Sequence, residues 1–487
     1  MKPVLMSAPP AAAAPPPVAD APRPRVAHKP RAALMWSSLN GLAAVVLPFV
    51  VFACFARLMM PRQFAMIGLA LAALEMLKTL APQGLYDVLV THDEGEREYH
   101  AAAAAILLAS AVAVMGLFTA LLLCSQAVFA MDMPGVVYLL ALKVLFDLAL
   151  LQPQAAMVRR AEIRRLSTRS LLSGVVGATC GIPLAWAGAP MAGLVAFYVM
   201  QSFATWLATV WGAKAMVMPR FHRAAARDML GQGLRASGVR VAAGANNYLD
   251  QLLIGHLFSA IVVGMFNLGK RIEIVSVTIS ASLSQIMWQP AFAMQGESAR
   301  ASAMARGVAG VALVCGVPIC VFAVSSPVAV PFLFGRHWAG AAPVAAALAL
   351  AGLVRALGSV AGAALTVTKR NGPLLWLSIG GGVANVVLVT LVARFGMMAT
   401  AAVICLRAVA QSAIMYALLA EVRRQMLPVM LRNFVLPLAL ATAASWLVSG
   451  WAMRWLAGIS LGHDLLYLLV VGAAGALVSV PLLIRKI

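Results

Sequence analysis

Apolar stretches of roughly 20 residues, each long enough to cross a bilayer, recur from Leu34 to the C-terminus of this 487-residue chain. This narrows the possible folds more than any other feature. In lipid every backbone N–H and C=O must be satisfied internally, which leaves only helices and closed barrels. A barrel strand alternates polar and apolar residues, and runs such as 106–123 and 466–483 do not. Composition agrees: 62% of residues are hydrophobic and 11% charged, against about 25% charged in ordinary soluble domains. The reading is an all-α polytopic membrane protein.

Residues 1–32 are Ala/Pro-rich (SAPPAAAAPPPVADAPRPR at their centre) and offer no continuous apolar core for a signal peptide. They read as a disordered cytoplasmic tail. About fourteen spans follow, near 34–56, 64–90, 101–124, 135–156, 170–188, 191–213, 236–258, 263–288, 307–325, 340–367, 374–393, 397–420, 433–450 and 465–484. With the N-terminus in the cytoplasm, Arg159/Arg160/Arg164/Arg165/Arg169, Arg220/Arg223/Arg227, Lys369/Arg370, Arg423/Arg424/Arg432 and Arg485/Lys486 all fall on the inner side. Of 37 Lys and Arg, 25 lie inside, 7 within spans and 5 outside (Arg57, Arg62, Arg336, Arg394, Arg454). This satisfies the positive-inside rule and places both termini in the cytoplasm. The net charge of +21 therefore reflects topology and not nucleic-acid binding.

Segments 57–70 (RLMMPRQFAMIGLA) and 256–269 (HLFSAIVVGMFNLG) align at Leu58/Leu257, Met66/Met265 and Leu69/Leu268. Each ends one span and begins the next, at the start of a set of six. The expectation is two six-helix bundles, 33–215 and 228–421, related by a pseudo-two-fold axis along the membrane normal. Residues 428–487 then add two more helices.

The spans are not wholly apolar. The hairpin 246–273 (NNYLDQLLIGHLFSAIVVGMFNLGKRIE) carries Asp250 on one arm and Lys270, Arg271 and Glu273 on the other. A charge at such depth costs at least a few kcal/mol, so it faces a bundle interior or an aqueous path. Counting back from the turn at 1.5 Å per residue puts Asp250 and Arg271 both roughly 12 Å from the outer surface, where they can pair, and sets Asn247 level with Glu273. Either Lys270 and Arg271 present positive charge to an anionic substrate, with Asp250 as partner or switch, or the group is a structural ion pair.

Glu75 and Lys78, three apart, and Lys143 and Asp147, four apart, put opposite charges on one helix face and read as self-neutralised pairs or as ion-coupling sites. Asp87 is nearer a span end and reads as solvated. Arg240, Arg355 and Arg407 have no obvious local acid. Arginine grips phosphate bidentately, so these three join Lys270 and Arg271 as anion-binding candidates. Seven basic residues against five acidic ones (Glu75, Asp87, Asp147, Asp250, Glu273) within spans favour an anionic over a cationic cargo.

Several other signals carry no chemistry. The six cysteines form no CxxC or Cys/His cluster, GGGVAN at 380–385 sits in an apolar span, and no GxxxxGK[ST] occurs. No metal site, cofactor or catalytic residue is expected. The loops are too short to house a soluble catalytic domain.

The run 247–272, LFGRHW at 333–338, the basic linker AAMVRRAEIRRLSTRSLLSGVVG at 155–177 and ARLMMPRQF at 56–64 together resemble the multidrug/oligosaccharidyl-lipid/polysaccharide exporter superfamily, and within it the Wzx-type polysaccharide flippases. The likeness extends from residue 33 onward. It implies alternating-access transfer of an undecaprenyl-pyrophosphate-linked oligosaccharide across a bacterial inner membrane, for exopolysaccharide, capsule or O-antigen biosynthesis. It also implies H⁺ or Na⁺ coupling and work beside a polysaccharide polymerase or export machinery. One departure is that the first span and its approach (Trp36, Ser37, Ser38, Asn40) hold no basic residue. The rival readings are a multidrug or peptidoglycan-precursor exporter of the same superfamily, and a membrane polysaccharide polymerase.

Overall fold

The computed structural model describes residues 47–91, 97–129, 131–160, 162–213, 217–283, 297–368, 371–419, 423–456 and 463–486. The Ala/Pro-rich tail, the first part of the first expected span, most of the acidic stretch 92–98 and the end of the eighth span lie outside them. The principal helices are α1 (Leu47–Leu58), α2 (Pro61–Thr79), α3 (Leu85–Thr91), α4 (Arg97–Leu123), α5 (Gly135–Arg159), α6 (Ile163–Trp186), α7 (Pro190–Ala213), α8 (Arg223–Leu257), α9 (Ala260–Leu283), α10 (Ala301–Phe334), α11 (Ala342–Val367), α12 (Asn371–Val392), α13 (Met397–Ala417), α14 (Leu427–Trp455) and α15 (His463–Ile484). No strand occurs among the described residues. Nine of their helices are long and apolar enough to cross a membrane. The protein is a multi-pass helical membrane protein.

Helices α2 and α9 are not among those nine, because they carry the charges that build the site described below. The expected second span is also broken. Helix α2 stops at Thr79 and α3 resumes at Leu85, with Pro82 in the intervening turn, where it cannot donate an intrahelical hydrogen bond.

Local chemistry sets other boundaries. Pro61 opens α2 at a position where its missing N–H costs nothing, and Gln63 Oε1 accepts from the Met60 N–H at 3.1 Å. Two π-turns, Ala312–Gly316 and Leu431–Val435, each end two residues before a proline, Pro318 and Pro437. A proline ring clashes with the carbonyl four residues back, and those carbonyls, at Val314 and Asn433, fall inside the two π-turns.

The aligned segments break alike. Helix α1 ends at Leu58 and α2 begins at Pro61; α8 ends at Leu257 and α9 begins at Ala260. Two correspondences not visible in the sequence accompany this. Six-residue 3₁₀ turns, Gly135–Leu140 and Arg336–Ala341, lead into the fourth and tenth expected spans. Positive-φ glycines, Gly188 (φ 92°) and Gly396 (φ 95°), turn the chain after the fifth and eleventh, a conformation in which a Cβ is strained.

Packing runs mostly between near neighbours in sequence: α6 on α7, α4 on α5 and α5 on α7 in the first part, then α9 on α11, α11 on α13 and α8 on α12 in the second. Helices α14 and α15 pack on each other and on α10. The seam between the parts is α2 against α8 and α9. One buried apolar core runs through this seam, with Phe55, Leu69, Phe266 and Trp338 each fully enclosed.

Candidate functional site

Two groups of charge flank the seam, the first partly buried and the second largely buried. In the first, Lys143 Nζ lies 2.6 Å from Glu75 Oε1 and 2.6 Å from Asp147 Oδ2. Lys78 Nζ lies 2.5 Å from Glu75 Oε2 and 2.8 Å from Asp147 Oδ2. The local pairs expected within α2 and within α5 do form, but they also bridge the two helices, so the unit is a four-membered ring of net charge zero.

The second group is linear. Lys270 Nζ lies 2.6 Å from Asp250 Oδ2 and 2.9 Å from Glu273 Oε2, and Arg355 Nη1 lies 2.5 Å from Glu273 Oε1. This order, Asp250–Lys270–Glu273–Arg355, is also neutral. Lys270 is 2% exposed and both carboxylates 0%.

Two sequence expectations need correcting here. Asp250 pairs with Lys270 and not with Arg271. Both cations lie level with Asp250 along the hairpin, but successive helix residues point about 100° apart, so only one of the two can face it. Arg355 does have an acid, Glu273, supplied by α9 and thus invisible to local spacing. Their approach depends on Gly352, where a Cβ would stand 2.8 Å from the Glu273 carbonyl oxygen and 2.9 Å from its Cα.

Arg271 instead turns into a cavity of about 280 Å³ at the seam, with its guanidinium carbon 5.6 Å from the centre of the Phe52 ring, a cation–π arrangement. Glu75 and Lys143 line the same cavity from the first group, and Lys270, Gln251 and Asn267 line it from the second part. Gln251 Nε2 donates to Asn267 Oδ1 at 2.7 Å, while Asn267 Nδ2, buried, has no hydrogen-bond partner. The cavity is thus an amphipathic chamber with both ion groups in its walls.

Arg407 and Arg355 face a separate cavity of about 200 Å³ among α9, α11 and α13. The five proposed anion-binding residues are therefore not brought to one place: Lys270 and Arg271 line the first cavity, Arg355 and Arg407 the second. The side chains of Arg240 and Asn247 lie outside the described residues. Asp87 is exposed. Segment 380–385 is helical, as its apolar span requires.

Residues missed by the sequence reading close the seam above Arg271. Helix ends leave their last four carbonyls without intrahelical donors. The Trp338 indole donates to the Ala56 carbonyl at 2.8 Å, and His337 Nε2 lies 3.2 Å from Ala56 O and 3.0 Å from Met59 O. Both acceptors are carbonyls, so Nε2 carries the proton. In return the Arg57 Nε donates to Leu333 O at 2.9 Å, and its Nη2 donates to Phe332 O. Each loop caps the other's helix, and the Phe64–Trp338 ring contact at 5.4 Å seals the layer beneath. Nothing local in LFGRHW marks this role, which depends on a partner more than 270 residues away.

A seam between helix sets, with an amphipathic cavity and buried or partly buried ion groups among apolar helices, defines a transporter-like helical membrane protein. The structure is similar to that of the lipid II flippase MurJ in an inward closed conformation (TM-score 0.68, 11% identity, covering 93% of this chain and 98% of that one). It is also similar to an inward-facing multidrug resistance MATE family transporter of the MOP superfamily (TM-score 0.56, 15% identity, 81% and 95% covered). At these identities the likeness is one of fold. No curated protein matches the sequence. A family profile described as polysaccharide biosynthesis protein matches residues 54–343, more than half of the chain. The chain belongs to that polysaccharide biosynthesis protein family.

Proposed function

We propose that this protein is a flippase that carries an undecaprenyl-pyrophosphate-linked oligosaccharide from the inner to the outer leaflet of a bacterial inner membrane, with both termini in the cytoplasm. The observation that carries the reading is Arg271. Among the described charges lining the seam cavity, the two ion groups neutralise themselves, and Arg271 alone has an aromatic ring and no carboxylate beside it. A phosphate oxygen would displace or share that contact, with Lys270 adjacent. At about 280 Å³ the cavity is small beside ligand pockets of roughly 300–1,000 Å³. It suits the pyrophosphate and a first sugar, and the remainder requires opening.

In this scheme the 33–215 and 228–421 bundles rock about the α2–α8–α9 seam. The Arg57–Trp338 clasp breaks to admit the periplasmic leaflet, and the two ion groups are the places where a coupling H⁺ or Na⁺ would act. The chain makes or breaks no covalent bond.

The test has two parts. In cells lacking the gene, mass spectrometry with leaflet assignment should find the complete lipid-linked repeat unit held on the cytoplasmic side. Accumulation of unpolymerised units on the periplasmic side would instead support a polymerase. Complementation with Arg271→Ala should leave membrane insertion intact and abolish export. Full export by that variant would remove the pyrophosphate contact from the scheme.

A further inference from the structure

Arg407 lies at the middle of α13 and is 8% exposed. Its Nη1 donates to the neutral Gln411 Oε1 at 3.3 Å, and its Nε has no hydrogen-bond partner. A guanidinium cannot shed its proton in a protein, so burial leaves it charged, and a buried charge without a counter-charge costs several kcal/mol.

The acids within reach are already engaged. Asp250 is held by Lys270, and Glu273 by both Lys270 and Arg355. In the connected group next to this cavity the described charges are two carboxylates against Lys270, Arg355 and Arg407, an excess of one positive charge, while Arg271 faces the seam cavity instead. The cavity of about 200 Å³ beside Arg407 is lined by Arg355, Ser359, Gln411 and Ser412, and by no acidic residue. Its remaining walls include Gly358, Gly362 and Met415, so it runs from the two arginines toward the helix ends that the basic residues place in the cytoplasm. Water alone would satisfy the Nε hydrogen but would not balance the charge.

We infer that this second cavity is a binding site for one small monovalent anion, such as chloride, held against Arg407 with part of its hydration shell. A single negative charge matches the excess of one, whereas a pyrophosphate would leave its own surplus buried. The site is separated from the seam cavity by the Lys270–Glu273–Arg355 chain, and the inference holds whatever the protein carries there. The bound anion would contribute to the rigidity of the α9–α11–α13 packing.

The test uses the purified full-length protein in detergent. Its thermal unfolding is followed while chloride, bromide or nitrate replaces gluconate, a bulky carboxylate used as the reference anion, at constant ionic strength. The wild type should show a saturable rise in Tm. Arg407→Gln should weaken the apparent anion affinity by about ten- to hundredfold, the loss of one hydrogen bond to a charged partner, and Arg271→Gln should leave it unchanged. An equal anion response in Arg407→Gln, or none in the wild type, overturns the proposal. Should Arg407→Gln fail to fold, bromide anomalous scattering from wild-type crystals decides: density between Arg407 and Arg355 supports the site, and density elsewhere or none refutes it. Neither outcome bears on export by Arg271→Ala, so the two readings fail separately.

Discussion

Replacing Lys270 by methionine removes the central cation of a buried Asp–Lys–Glu–Arg chain while nearly preserving side-chain volume. Glu273 keeps Arg355 at 2.5 Å. Asp250 keeps only the hydrogen bond from the Gln251 backbone N–H at 2.8 Å and is otherwise an uncompensated carboxylate with no solvent exposure. Breaking one side of a buried pair costs about 3–5 kcal/mol, and full burial leaves no solvent screening to reduce it. Asp250→Asn should cost less, because Lys270 retains Glu273 at 2.9 Å. The double variant Asp250→Asn/Lys270→Met removes both members of the pair, and neutral replacement of a buried pair is often close to neutral in stability. The expected order of stability is therefore wild type, then the double variant or Asp250→Asn, with Lys270→Met lowest. Equilibrium unfolding in mixed micelles across the double-mutant cycle measures the coupling. If the two single losses simply add in the double variant, the pair does not stabilise the seam and the reasoning is wrong.

Three further outcomes are expected. Trp338→Phe keeps an aromatic ring but removes the hydrogen bond to Ala56 O, worth about 0.5–1.5 kcal/mol, and leaves a void where the larger indole was enclosed; a cysteine at Leu71, which lines the seam cavity, in a cysteine-free background should then label at least roughly 2–10 times faster with an impermeant thiol reagent from the periplasmic side. Unchanged labelling would mean that the clasp does not gate that face. Gly352→Ala drives a Cβ into the Glu273 backbone and should cost about 1–3 kcal/mol as overpacking, read as a lowered Tm, while Gly116→Ala, with nothing within 4 Å of its Cβ, should gain about 0.5–1 kcal/mol in helix propensity. Reporter fusions after Arg432 and after Lys486 should both report the cytoplasm, and one at Arg394 the periplasm; opposite signals at the first two would break the even count of spans.

What could be read from the sequence was whatever depends on position along one dimension. Span length and the relative depth of a charge counted from a turn both belong to the chain itself. Asp250 and the two cations at 270–271 were accordingly placed at the right level. The recurrence of one helix break, at Leu58/Pro61 and at Leu257/Ala260, was visible for the same reason. The matching 3₁₀ turns at Gly135 and Arg336 were not, because they preserve backbone shape without preserving residues.

Partner choice was the part that sequence could not supply. Lys270 and Arg271 are neighbours of like charge, and only the angle at which α9 meets α8 and α2 decides that the first answers Asp250 and the second faces the cavity. Arg355 looked solitary until the absent side chain of Gly352 let α11 close on Glu273. Arg407 looked the same and has no acid in contact. A hydrophobic solvent fixes how many polar groups must be hidden, and that requirement can be counted from the chain. Which of them meet depends on azimuth and helix separation, and these exist only once the helices have packed.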